Sequence, residues 1–305
     1  MADTPLSGVL LMNKPAGFTS FDVVAKLRGI LHTRKLGHGG TLDPMATGVL
    51  PVFVGGATRA VDYASAQDKE YVAGFTLGLA TDTQDTTGTV LETSDRVVTR
   101  AEVEHALLAF LGNGKQVPPM YSAVKIDGKR LYDLARQGKE IERPARDITV
   151  HTLELLDFSE HAQQGILRAV VSKGTYIRTL IHDLGHALGS CAAMHSLVRT
   201  RAGAYPLCET VDFAAVERAM ADGTITSLLR PTDSLFTEYP RVDLDDYGYT
   251  RACSGAFIAP EHAQGMALTE GALSRVYYQD TFLMLGRTDT LDRGGLALFV
   301  HKNFR

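Results

Sequence analysis

Three cysteines, Cys191, Cys208 and Cys253, are too few and too scattered among 305 residues for a disulfide framework. No C-x-x-C pair suggests a zinc knuckle, so they read as buried or idle thiols of a reducing compartment. No 18 apolar residues run together, and the apolar run at residues 9–12 is too short for a signal-peptide core. The expectation is a soluble, cytoplasmic protein. Neither an internal repeat nor a low-complexity tract is present. Basic charge is also scarce: 31 Lys+Arg stand against 35 Asp+Glu, a formal net charge of −4. That balance counts against a surface given over wholesale to nucleic acid. Two phosphate-binding loops are missing as well. The glycine-rich stretch 37–51 lacks the Gly-Lys-Ser/Thr of a Walker loop, and Leu42 replaces the third glycine of the dinucleotide fingerprint.

What is present is a globular composition, 45% hydrophobic and 22% charged, long enough for one large domain and a smaller one. Residues 8–12 read as a short buried strand. Ser20 sits at an N-cap position, and Phe21, Val24, Leu27 and Leu31 recur at helical spacing. Four glycines and a proline make residues 36–48 a loop, and a strand follows over 49–54. Alternating apolar residues from Tyr71 to Leu79 predict a half-buried strand. Thr99 and Glu102 have capping-box spacing and open a helix through Leu111, which residues 112–119 break. Residues 120–126 read as a strand, with Asp127 and Gly128 as a hairpin turn. Two strands at 148–158 and 166–172, an amphipathic helix at 175–188 capped by Thr175, and a helix at 213–220 complete the first unit. The stretch 230–240, with two prolines, marks a boundary between a unit over 1–230 and another over 240–305. Short strands at 275–279, 282–285 and 296–300 suggest that the second unit is a small β-barrel or sandwich.

Several residues carry possible chemistry. Pro44 disfavours a helical backbone at Asp43, and the pair taken alone fits a turn or a catalytic carboxylate. His38 taken alone fits a structural imidazole or a binding group. Tyr176 and Arg178 fall at the start of a helix, where an arginine opposes the dipole unless an anion accompanies it. Tyr71 opens a strand, as a core tyrosine or an exposed ring would. Residues 116–132 form a basic, aromatic-interleaved hairpin that suits RNA backbone contact or ordinary surface.

The run 37–51 closely resembles the signature loop of the TruB family, the tRNA pseudouridine synthases acting on uridine 55 in the T arm. Residues 11–17, 69–71, 81–85, 116–132 and 172–184 resemble further family motifs in the family's order. The resemblance covers about the first 200 residues. It implies an α+β (mixed α/β) fold, with a central, largely antiparallel sheet in the catalytic core and a C-terminal PUA-like β-barrel. By motif position it makes Asp43 the catalytic aspartate, Tyr71 the ring that stacks on the uracil, and Tyr176 an active-site tyrosine. Arg178 corresponds to the arginine paired with the aspartate, Leu197 to an apolar residue near the base, and His38 to a contact with the T loop. The implied partner is the T stem-loop of tRNA, with neither DNA nor membrane, and the implied state is a monomer. Gly39 departs from the family, which usually has threonine there. Losing a hydroxyl and a Cβ at that position would loosen the loop.

Pseudouridylation breaks N1–C1′, turns the uracil and joins C5 to C1′, so it calls for no cofactor and no metal. It needs one ionised carboxylate, which attacks C1′ or C6 or takes the 2′-proton. An aromatic ring gives the extruded base a stacking surface. A non-catalytic tRNA-binding or folding chaperone would have no use for that carboxylate, and a glycosidase would need a second one. The charge also divides unevenly. Residues 1–60 hold six Lys/Arg against three Asp/Glu, and residues 111–146 hold eight against four. A local basic face on an acidic body is therefore expected where the signature loop and the hairpin lie.

Overall fold

The strand Lys69–Leu77 lies in the interior of the main sheet and buries Tyr71, Ala73, Phe75 and Leu77 in one core with Ile177, Leu180 and Ile181 of a helix. The computed structural model describes residues 6–126 and 128–304, so Asp127 of the expected hairpin turn lies outside the described residues. Among the described residues the main sheet has ten strands. Eight lie side by side in the order Leu229–Arg230, Gly8–Lys14, Thr47–Val54, Ala192–Ala202, Lys69–Leu77, Gln164–Val171, Arg146–Ser159 and Gly112–Gln116. Every neighbouring pair is antiparallel except Ala192–Ala202 with Thr47–Val54. The largely antiparallel α+β core expected from the sequence is present.

The local differences from expectation have identifiable causes. The first helix, Ser20–Ile30, is capped by Thr19, which makes a reciprocal capping box with Asp22. Ser20 is instead buried inside the helix, while Phe21 points outward at 63% exposure. Within the expected loop 36–48, Leu36–His38 pairs with Thr47–Val54 as a short edge strand. The helix capped by Thr99 and Glu102 ends at Leu108, and the glycine-rich segment after it forms the edge strand Gly112–Gln116. Of residues 120–126, Lys125–Ile126 alone is strand, paired with Lys129–Arg130. The helix Ile177–Ala187 is capped by Tyr176 without a side-chain bond, and not by Thr175.

The C-terminal strands make a separate five-stranded sheet, ordered Ala263–Gln264, Arg241–Leu244, Leu273–Tyr278, Thr281–Thr290 and Leu296–Asn303, which curls into a half-barrel. Its Phe282 and Phe304 rings pack on Phe236 at centroid separations of 6.1 and 5.4 Å. Phe236, from the segment between the two sheets, is 2% exposed and joins a core containing Val9, Leu11 and Phe53 of the main sheet.

The parallel pairing within the main sheet depends on a glycine. Gly48 has φ +102°, and a Cβ there would lie 2.3 Å from the Arg199 carbonyl oxygen across the strand boundary. Neither the backbone conformation nor the space admits a side chain. Gly48→Ala should destabilise the protein by about 3 kcal/mol or more, read as a lowered denaturant midpoint at unchanged slope. An unchanged midpoint would show that the contact is not tight.

Candidate active site

A cavity of about 400 Å³ opens where the loop after His38, the strand Lys69–Leu77, residues 122–124 and the start of the helix Ile177–Ala187 converge. Asp43, Tyr71, Tyr176, Arg178 and Leu197 all line it, which brings together five of the six residues singled out in the sequence. The sixth, His38, does not line it. It lies half-buried on the edge strand Leu36–His38, in register with Val52, and burial lowers its imidazole from the usual value.

Arg178 organises the site. Its side chain is 4% exposed, and Nε donates to Asp43 Oδ2 at 2.8 Å. Nη1 donates to the Thr83 carbonyl at 2.6 Å and Nη2 to the Tyr121 carbonyl at 2.8 Å. Asp85 Oδ2 lies 3.9 Å from Nε, but Asp85 Oδ1 is occupied by the Thr83 and Thr87 hydroxyls and the Thr87 N–H. The anion hydrogen-bonded to Arg178 at this helix N-terminus is Asp43, itself 33% exposed to the cavity, with Asp85 as a longer ion-pair partner. Asp43 is the one acidic residue among the described lining residues, beside Lys69, Arg146, Arg178 and Arg199. Such a lining suits an anionic substrate.

The loop bearing Asp43 is fixed by groups that sequence patterns do not mark. The buried Ser20 hydroxyl accepts from the Leu42 N–H at 2.8 Å and donates to the Leu42 carbonyl at 3.2 Å. Lys14, fully buried, donates to the carbonyls of Pro15, Phe18 and Pro44. Arg199, 1% exposed, donates from Nε to the Val49 carbonyl at 2.7 Å, and from its Nη atoms to the Thr41 and Gly40 carbonyls. Gly40 has φ +122°, which turns the loop back towards this arginine. The sequence places Ser20 at a helix cap and marks no role for Arg199. A lysine before proline at a strand end was the single visible hint for Lys14.

At Gly39 the structure reverses the expectation of a looser loop. A Cβ there would lie 2.9 Å from Ala64 Cβ and 3.1 Å from Phe53 Cε2. The space of the missing side chain is filled by this chain's own core.

The remaining walls are set by strand register. Leu197 pairs with Ala73 and Arg199 with Tyr71, so Leu197 and Tyr71 lie on adjacent strands and present a ring and an apolar side chain to the same space. Gln116, 4% exposed on the edge strand, bonds Tyr176 twice. Its Oε1 accepts from the Tyr176 N–H at 2.8 Å, and its Nε2 donates to the Tyr176 carbonyl at 3.0 Å. Burial raises the Tyr176 hydroxyl above its usual value, so it remains a hydrogen-bond donor at neutral pH. Lys69 lies across the cavity, its ammonium bonded to the carbonyls of Ala64, Ser65 and Gln67 and lowered to about 8 by burial. One recessed carboxylate, a ring beside it and a cationic lining can receive an extruded base attached to a phosphate backbone.

Comparison with known proteins agrees. Residues 28–177 match the N-terminal domain of TruB family pseudouridylate synthases, and residues 178–237 match the tRNA pseudouridylate synthase B C-terminal domain. The tRNA pseudouridine synthase B of Levilactobacillus brevis is 44% identical over 283 residues, 90% of this chain and 93% of its own. That of Geobacillus thermodenitrificans is 43% identical over 259 residues, 83% and 86% of the two chains. A chain in the crystal structure of a Cbf5-Nop10-Gar1 complex superposes with a TM-score of 0.74 at 30% identity, covering 98% of this chain and 85% of that one. Sequence and architecture thus converge on one conclusion: the chain belongs to the TruB family of pseudouridylate synthases.

Proposed function

We propose that this protein isomerises uridine 55 in the T loop of tRNA to pseudouridine, as a cytoplasmic monomer. The observation that carries this reading is the Asp43–Arg178 pair at the wall of a cavity faced by Tyr71. Residues 1–230 form the catalytic unit and residues 240–305 the additional RNA-binding unit. The target nucleotide leaves its stack, at a cost of a few kcal/mol, and its uracil lies against the Tyr71 ring with Leu197 alongside. Tyr176 bounds the base from the helix side. His38, outside the cavity, meets the folded T loop from which the base was taken.

Asp43 carries the reaction. Arg178 holds one carboxylate oxygen, fixing the position of the other and placing a buried positive charge beside the group. The carboxylate acts at C1′, at C6 or on the 2′-proton, and each route ends with N1–C1′ broken and C5–C1′ formed. N1 gains a hydrogen as C5 loses one, so the isomerisation balances without an external reactant. Asp43→Asn keeps the hydrogen-bonding shape but removes the charge. Assayed on an unmodified tRNA transcript, it should lose at least ~1,000-fold in turnover while binding tRNA normally. Near-normal turnover would sink this assignment. Wild-type protein that binds but never modifies RNA would sink the enzymatic reading.

The lysine tether gives turnover a pH dependence. An ammonium has three protons for the carbonyls of Pro15, Phe18 and Pro44, whereas a neutral amine has two. Burial lowers Lys14 from 10.5 to about 8. Between those values the unfolded chain binds the extra proton, so this group's contribution to stability rises with pH across that window. Turnover moves the other way, because the loop carrying Asp43 loses a tether. With saturating tRNA, kcat should fall with an apparent pKa of about 8, and Lys14→Arg, which cannot deprotonate, should lose Lys14's share of that limb and keep only what Lys69 sets. A kcat flat from neutrality to pH ~9.5 would contradict this role.

A further inference from the structure

The helix Ile177–Ala187 carries Arg178 at one end and, towards the other, two histidines for which the isomerisation has no use. His182 and His186 stand on one helical face with Nε2 atoms 3.1 Å apart and rings edge to face at 4.5 Å. With Asp183 after the first of them, residues 182–186 have the i, i+4 spacing by which a helix presents two imidazoles to one zinc ion. We propose that His182 and His186 form a binding site for a borderline divalent transition metal ion such as Zn²⁺, held by the two Nε2 atoms and completed by water.

The geometry suits two ligands of one ion. With metal–nitrogen bonds of about 2.05 Å, nitrogens 3.1 Å apart subtend about 98°, between octahedral and tetrahedral angles. His186 is exposed and His182 half-buried, so both rings can be reached from solvent. Glu92 acts electrostatically on His182 from the strand Val90–Thr93, and Asp183 interacts with His186. His186 lies in the last helical turn, where the dipole favours a cation. In the metal-free molecule one ring donates its Nε2 hydrogen to the other. Metal binding moves that proton to Nδ1 of the same ring, so a neutral pair releases none.

Two features limit the affinity. Among the described residues no third His, Cys, Asp or Glu completes the set. His182 Nδ1 is buried without a partner, so the ring lacks the outer hydrogen bond that strengthens a metal ligand. Both point to a dissociation constant of about 10–100 µM, well short of a structural zinc site.

Calorimetric titration of the full chain with Zn²⁺, and separately with Mg²⁺, tests the site. Wild type should bind one Zn²⁺ in that range, and His186→Ala and His182→Asn should each bind at least ~10-fold more weakly. Mg²⁺, a hard ion, should show no binding at the same concentrations. Zn²⁺ should also raise the melting temperature of wild type but not of His186→Ala, whose altered side chain is exposed and not needed for folding. Equal Zn²⁺ affinity in wild type and His186→Ala would overturn the proposal and direct attention to other ligands such as the exposed Cys208. No wild-type binding up to ~1 mM would overturn it as well.

Discussion

A single buried guanidinium holds the candidate active site together. Removing an arginine from water is costly unless it is paired and hydrogen-bonded, and Arg178 bonds one carboxylate and two loop carbonyls, one from each of its three nitrogens. Those three acceptors come from three chain segments far apart in sequence: residue 43, residue 83 and residue 121. The charge can be buried only when all three segments are in place, so assembling the cavity and orienting the carboxylate are one event. It also explains why an arginine tolerates the unfavourable end of a helix dipole.

Around this pair the same device recurs. Lys14, Lys69 and Arg199 are buried cations whose donors go to backbone carbonyls: those of irregular segments for Lys14, those at the end of the helix Val61–Ala66 for Lys69, and those of Val49 and the Gly40–Thr41 loop for Arg199. Irregular backbone inside a protein leaves carbonyls without ladder partners, and a cation with several donors satisfies them in groups. Ser20 and Gln116 do similar work without charge, each bonding both the N–H and the carbonyl of one residue. Carbonyl-held cations fix the loops without adding carboxylates to the cavity. Asp43 is thus left as the acidic group among the described residues that line the cavity, beside cations that are mostly buried. Of the lining cations only Arg146 is exposed, so the positive charge around Asp43 is mostly buried beneath the cavity wall.

Much of this was legible in the sequence, and the limits are physical. Period-2 alternation marked the strand bearing Tyr71, and the helical stripe of Ile177, Leu180, Ile181 and Leu184 marked the helix bearing Arg178, because both bury one face in the core. The motif order identified Asp43, Tyr176 and Leu197 as members of one site. Short edge strands escaped notice because pairing partners, not local composition, create them: Leu36–His38 and Gly112–Gln116 are rich in glycine or polar residues. The roles of Ser20, Lys14 and Arg199 were hidden for a similar reason. A buried lysine and a surface lysine read alike until the carbonyls around them are known. Gly39 shows the opposite case, since its missing side chain is compensated at Ala64 and Phe53, positions no local pattern connects to it.

The arginine clamp is tested most directly by the single-turnover rate of Arg178→Lys at saturating tRNA. Lysine keeps the charge but cannot reach three divergent acceptors with one nitrogen. A variant with native circular dichroism and unchanged tRNA affinity should isomerise uridine at least ~100-fold more slowly, because a positive charge remains beside the carboxylate but no longer holds it in place. A wild-type rate from that variant would contradict the account, showing that charge alone suffices and that the three-way clamp is incidental.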